Sequence, residues 1–198
     1  MSKIEQNREK KRRAILQAAQ EVFLSEGYVI ASMDKIAAGA QVTKQTVYRY
    51  YPSKGELFKA TLQYMGENSE LDFIFHLQAS DVREAMYRFA RGFIEFHLAD
   101  EHLATYRLLV SESAKAPEMV ASFMEVGPDD TSARLAEFFI ERLGIAEPET
   151  AIRLWSGMLL SQRAGALLGM EKPDQAAMES LAESSTDFLL AGLGKSAI

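Results

Sequence analysis

Lys44, Gln45, Thr46, Tyr48 and Arg49 stand within six residues of one another. Lysine and arginine bring positive charge to a phosphate, and glutamine can make a paired hydrogen bond to adenine. Threonine and tyrosine bring hydroxyls, and tyrosine adds a flat apolar face. No other stretch carries as clear a chemistry. There is no glycine-rich phosphate loop, no His-Glu-x-x-His and no nucleophile beside a base, so no catalytic residue is assigned and an enzyme is not expected. His97 and His102 lie five apart near Asp100 and Glu101, but a metal site needs three or four convergent ligands. No metal and no cofactor are expected. With no cysteine, disulfides, thiolate metal sites and cysteine redox sensing are excluded.

The polar cluster needs a short helix to carry it. Thr43 can cap a helix over 44–50, and Pro52 stops it. A second short helix, from about Met33 to Ala40 with Ser32 as its cap, precedes it across a three-residue turn. A long helix from about Gln6 to Glu26, ended by Gly27, braces both. Ser53 and Glu56 form a capping box that opens a fourth helix reaching about Met65. Ile36, Ala37, Val42 and Val47 supply a small apolar core for this helix-turn-helix.

Charge divides the chain in the same place. Residues 1–60 hold 11 Lys and Arg against 6 Asp and Glu, while 61–198 hold 11 against 22. The net charge of −6 thus hides a basic head on an acidic body, so only the head suits a polyanion. Beyond residue 80, apolar residues recur at three and four, and helices are expected over 81–99, 101–115, 117–126, on to 143, 148–168 and 174–191. The expected fold is all-α: a helix-turn-helix domain over 1–60 and a larger helical domain over 61–198. No apolar h-region and no run of 18 apolar residues occur, so a soluble cytoplasmic protein without a membrane span is expected.

Helices 148–168 and 174–191 each carry a stripe of mostly small residues. Gly157, Ser161, Ala164 and Leu168 mark the first, and Ala177, Leu181, Ser184 and Phe188 mark the second. Either two copies of the chain join these stripes in a four-helix bundle, or they pack within one chain. A homodimer would set two reading helices about 34–36 Å apart, one turn of duplex.

The stretch Ile36-Ala37, Ala40 through Lys54 and Leu57-Phe58, with Phe23, Gly27-Tyr28 and Ser32, resembles the N-terminal domain of TetR-family regulators. Arg107 to Ser113, Pro117-Glu118 and Gly127-Pro128 resemble the AefR-like C-terminal domain. The resemblance implies a transcriptional regulator, commonly a repressor, that binds double-stranded operator DNA as a homodimer. It implies that Lys44, Gln45, Thr46, Tyr48 and Arg49 face DNA and that Tyr50 and Lys54 contact phosphates. Ser32 would cap near the backbone, and Tyr51 would be structural. It also implies a cavity for a small organic effector, with Phe89, Phe93, His97, Tyr106, Trp155 and Gln162 as candidate walls. Glu112 is a candidate partner for a cationic ligand or for Arg107. Two positions depart from the pattern: Gln41 where the turn usually has glycine, and Ala31 where threonine is common. They keep open a small-ligand-binding helical protein whose head no longer reads DNA.

Overall fold

The computed structural model describes residues 2–67 and 73–195. Every regular element among them is helical: α1 (Lys3–Glu26), α2 (Met33–Gly39), α3 (Lys44–Tyr50), α4 (Lys54–Glu67), a 3₁₀ turn (Ile74–Gln78), α5 (Val82–Leu98), α6 (Asp100–Glu112), α7 (Pro117–Val126), α8 (Pro128–Leu143), α9 (Glu149–Leu159), α10 (Arg163–Leu167) and α11 (Gln175–Lys195). The all-α expectation holds. No helix among the described residues is long and apolar enough to cross a membrane.

Local signals account for most helix ends. α1 starts three residues before the expected Gln6 because Ser2 and Glu5 form a reciprocal capping box. Pro117 sits in the first turn of α7, where its missing N–H leaves no bond unmade. The Ser53 hydroxyl accepts from the Glu56 N–H, 3.1 Å, as the capping signature requires. The single helix expected over 148–168 is instead two. After Leu159 the chain tightens into a turn, with the Ser161 N–H donating to the Met158 carbonyl and the Arg163 N–H to the Leu160 carbonyl, before α10 begins. No proline or glycine stands between Leu160 and Gln162 to force this break.

The chain forms two compact units. The first joins Met1–Asn68 to Ala104–Asp129, and the second joins Ser69–Leu103 to Asp130–Ile198. The unit that holds the helix-turn-helix therefore includes the later part of α6 and all of α7. Its core gathers Ile15, Leu16, Ala19 and Phe23 of α1, Ile36 of α2, Val47 of α3, Leu57 and Phe58 of α4, Leu108 and Leu109 of α6, and Met119 of α7. The Phe58 ring meets Phe23 and Tyr28 edge-on, at 5.2 and 5.1 Å between centroids.

The second unit is built on α5, α9 and α11. Phe89, Phe93, Phe139 and Trp155 dominate its interior, and Trp155 is fully buried. The 3₁₀ turn lies so close on α5 that a methyl group at Gly92 would come within 2.8 Å of the Phe73 Cβ. Arg83 of α5 clamps Asp187 of α11 with two hydrogen bonds of 2.7 and 2.8 Å, and reaches Glu183 at 3.1 Å.

Candidate nucleic-acid interface

α3 is a seven-residue helix, too short to be stable in isolation. It is held by its ends and by one apolar anchor. The Thr43 hydroxyl accepts the Thr46 N–H at 3.2 Å, and Val47 is fully buried. Fixing Val47 inward turns Lys44, Gln45, Tyr48 and Arg49 to solvent, while Thr46 is half-buried with its hydroxyl 2.9 Å from that of Thr43.

The turn before α3 closes in spite of its sequence. Gln41 takes φ of 54°, the left-handed region where glycine was expected, at a cost of about 1 kcal/mol. Its N–H still donates to the Ala38 carbonyl, and the Val42 N–H to that of Ala37, at 3.1 and 3.0 Å. Ala31, the second departure, is buried in the core. Lys44 reaches across from α3 to Asp34 of α2 at 2.8 Å, and this exposed ion pair holds its ammonium positive.

The segment leading into α2 is gripped from two sides. The Lys54 ammonium donates to the carbonyls of Tyr28, Val29 and Ala31, at 2.8, 3.1 and 3.2 Å, and lies 4.7 Å from the centre of the Tyr28 ring. Glu112 accepts from the Val29 N–H at 2.9 Å. Its carboxylate also comes so close to Gly27, at φ of 88°, that a side chain there would collide with it. Ser32, half-buried, then caps α2 by accepting the Lys35 N–H at 3.3 Å. Lys54 and Glu112 thus act inside the fold here. Periodicity and capping rules carry no signal for such long-range bonds to backbone.

Tyr50 and Tyr51 part company. The Tyr50 hydroxyl donates to the carbonyl of Arg8 at 3.2 Å and ties the end of α3 to α1. Tyr51 packs against the core as expected, and burial raises its phenol above the ordinary range. On α1, Glu9 pairs with Arg12 and Arg13 at 2.9 and 3.0 Å, which pulls its carboxyl down to about 2.

In the second unit the candidate effector residues divide. Trp155 stacks on Phe89, Phe89 on Phe93, and the His97 ring lies 4.0 Å from that of Phe93. These four form one continuous aromatic column. His97 Nδ1 lies 2.7 Å from the Phe93 carbonyl, which can only accept, so Nδ1 carries the proton. Burial, with His102 close by, lowers His97 to about 3; burial, with Arg163 nearby, lowers His102 to about 4. No three acidic or histidine side chains among the described residues could hold a metal ion. Gln162 is exposed at the turn between α9 and α10. Tyr106 belongs to the first unit, where it faces Phe123. Sequence reasoning missed Thr186 of α11. Its hydroxyl and the Trp155 indole N–H are buried with no hydrogen-bond partner among the described residues.

Of the two stripes, that on α11 stays on one helix, with Ala177, Ser184 and Phe188 exposed and Leu181 half-buried. The other is divided by the break: Gly157 lies on α9, Ser161 in the turn, Ala164 on α10 and Leu168 just past it. A side chain at Gly157 would meet open space. Phe188 is 73% exposed and Leu168 83%.

Residues 15–61 match the bacterial regulatory proteins of the tetR family, and residues 84–194 match the AefR-like transcriptional repressor C-terminal domain. The chain is 32% identical over 123 residues to the HTH-type transcriptional activator FasR of Mycolicibacterium smegmatis, covering 62% of this chain and 55% of that protein. It is 45% identical over 49 residues to the DNA-binding transcriptional repressor TetR of Mycobacteroides abscessus, covering 25% and 26%. The chain thus spans about half of the one curated relative and about a quarter of the other. A solved TetR-family regulator from Mesorhizobium loti superposes with a TM-score of 0.77 at 26% identity, over 96% of this chain and 98% of that one. The flavonoid-responsive regulator FrrA superposes with a TM-score of 0.74 at 27% identity, over 92% and 96%.

Proposed function

The chain belongs to the TetR family of DNA-binding transcriptional regulators, with an AefR-like C-terminal domain, and from that premise we propose a homodimeric repressor that a small organic effector releases from a palindromic operator. The observation that carries the reading is α3: one buried valine turns two cations, a glutamine and a tyrosine outward along seven residues. Lys44, Gln45, Thr46, Tyr48 and Arg49 face the duplex. Ser32 caps α2 as the sequence implies, and Tyr50 and Lys54 add bonds to backbone carbonyls that hold α3 and the segment before α2 in place.

Residues 61–198 bind the effector and form the dimer. Two buried polar groups without partners among the described residues, on Trp155 and Thr186, support a ligand there, because each costs roughly 1–3 kcal/mol until a partner meets it. Phe89, Phe93 and His97 supply the apolar wall, and a neutral His97 leaves Nε2 as an acceptor. The exposed apolar side chains Phe188, Leu168 and Leu154 support the dimer face. The effector acts by binding one subunit arrangement more tightly than the other.

Selection from a pool of random duplexes with the intact protein tests the reading. Enrichment of an inverted repeat is expected. Failure to enrich any sequence overturns it in favour of a ligand-binding protein with a silent head, the alternative that Gln41 and Ala31 left open. Raised transcription from a promoter carrying the repeat would replace repression with activation.

A further inference from the structure

On α1, Ile4, Asn7, Arg8 and Lys11 recur at three- and four-residue spacing and so share one face of the helix. With Arg49 and Tyr50 at the end of α3 they line an open cleft of about 440 Å³. Three cations converge there. Several other cations of this unit are paired: Arg12 and Arg13 with Glu9, Lys35 with Glu26, Lys44 with Asp34 and Lys59 with Glu125. Among the described residues no carboxylate pairs with Arg8, Lys11 or Arg49. The cleft is held in shape by the Tyr50 hydroxyl, which donates to the Arg8 carbonyl and joins its two walls.

A concave site with unpaired positive charge concentrates anions. Its volume exceeds that of one phosphate and it is open, which suits a polyanion running through it rather than a free ion. Its position selects the polyanion. Seven helical residues span roughly 10 Å, so Lys44 marks one end of the α3 surface and Arg49 joins the other end to the cleft.

We propose that this cleft takes a backbone phosphate of duplex DNA beyond the base pairs that α3 faces, with Arg8, Lys11 and Arg49 as its cations. The inference rests on the DNA-binding reading above. A phosphate contact adds affinity and sets orientation without reading sequence. α1 is then part of the DNA-binding surface as well as a brace for α2 and α3.

The test compares the intact protein with an Arg8→Gln, Lys11→Gln double variant and a Lys3→Gln, Lys10→Gln control. The control removes the same charge from the same helix outside the cleft. Two probes are used: a 40-base-pair duplex of scrambled sequence, and the duplex that the intact protein enriches from a random pool. The cleft variant should lose roughly tenfold affinity for both duplexes, so their affinity ratio stays constant. The slope of log affinity against log salt should become shallower by roughly 1–2, since each neutralised phosphate contributes about 0.9. The control should keep most of the slope. An unchanged slope in the cleft variant, or an equal loss in the control, overturns the proposal. If the intact protein binds neither duplex, the DNA-binding reading fails with it, so the two failures are distinguishable.

Discussion

The surface of α3 and the aromatic column of the second unit both carry polar groups, but water treats them in opposite ways. Lys44, in its exposed pair with Asp34, and Arg49 stand in solvent, where charge is cheap to maintain. His97 and His102 lie among Phe73, Phe93 and Phe96, where the charged form loses its hydration and the ring is driven neutral. The exposed surface therefore suits a polyanion. The interior suits a molecule that is apolar or hydrogen-bonds to neutral partners. Affinity for DNA should follow salt, and stability of the second unit should follow pH.

The sharpest way to break this contrast is to empty the column. Phe89→Ala should destabilise the protein by about 3–5 kcal/mol, read as a lower denaturant midpoint, because it opens a cavity between Phe93 and Trp155. The fraction still folded should bind the enriched duplex as before. If binding falls in the folded fraction too, the two regions are not separable in this way. The converse change, Lys44→Ala with Tyr48→Ala, should weaken binding to the enriched duplex by about a hundredfold, because each side chain removed from a base edge costs about 1–3 kcal/mol. A mobility shift measures this, and thermal stability should change little because both side chains are exposed.

A third prediction concerns acid. The folded values of His97 and His102, about 3 and about 4, lie below the ordinary histidine value, so the unfolded chain binds more protons throughout the interval between. Stability is then fully present above about pH 6.5 and falls as pH drops towards 4 and 3. Between pH 7 and 5 the loss should be on the order of 1–2 kcal/mol per histidine in denaturant titrations. A His97→Gln, His102→Gln variant should flatten the profile; if it does not, the acid sensitivity arises elsewhere. The smallest effect is expected at the turn. Gln41→Gly should raise stability by about 0.5 kcal/mol by relieving the positive φ, with DNA affinity unchanged within roughly twofold.

The helix-turn-helix was legible because its signals are local. Ser32 and Thr43 cap the helices they precede, Val47 anchors α3, and even the strain at Gln41 follows from a turn that needs positive φ. The stacked rings of Phe89, Phe93 and Trp155 were legible as apolar spacing, but their order in the column was not. Thr186 was invisible, because a buried hydroxyl without a partner looks in sequence like any other threonine.

By itself, the sequence determined the all-α class, the cap and turn chemistry of the head, and the division of charge between a basic head and an acidic body. These depend on residues a few positions apart or on counting. The tertiary structure alone decided that Lys54 closes on the 28–31 backbone, that Glu112 holds Val29, and that Tyr106 packs in the first unit. It also decided that α9 ends before α10 and that Arg8 and Lys11 meet Arg49 across a cleft. Each of these joins groups distant in sequence or sets a local bend that no residue type demands. Helical periodicity says which side chains share a face, but it carries no information about what that face meets.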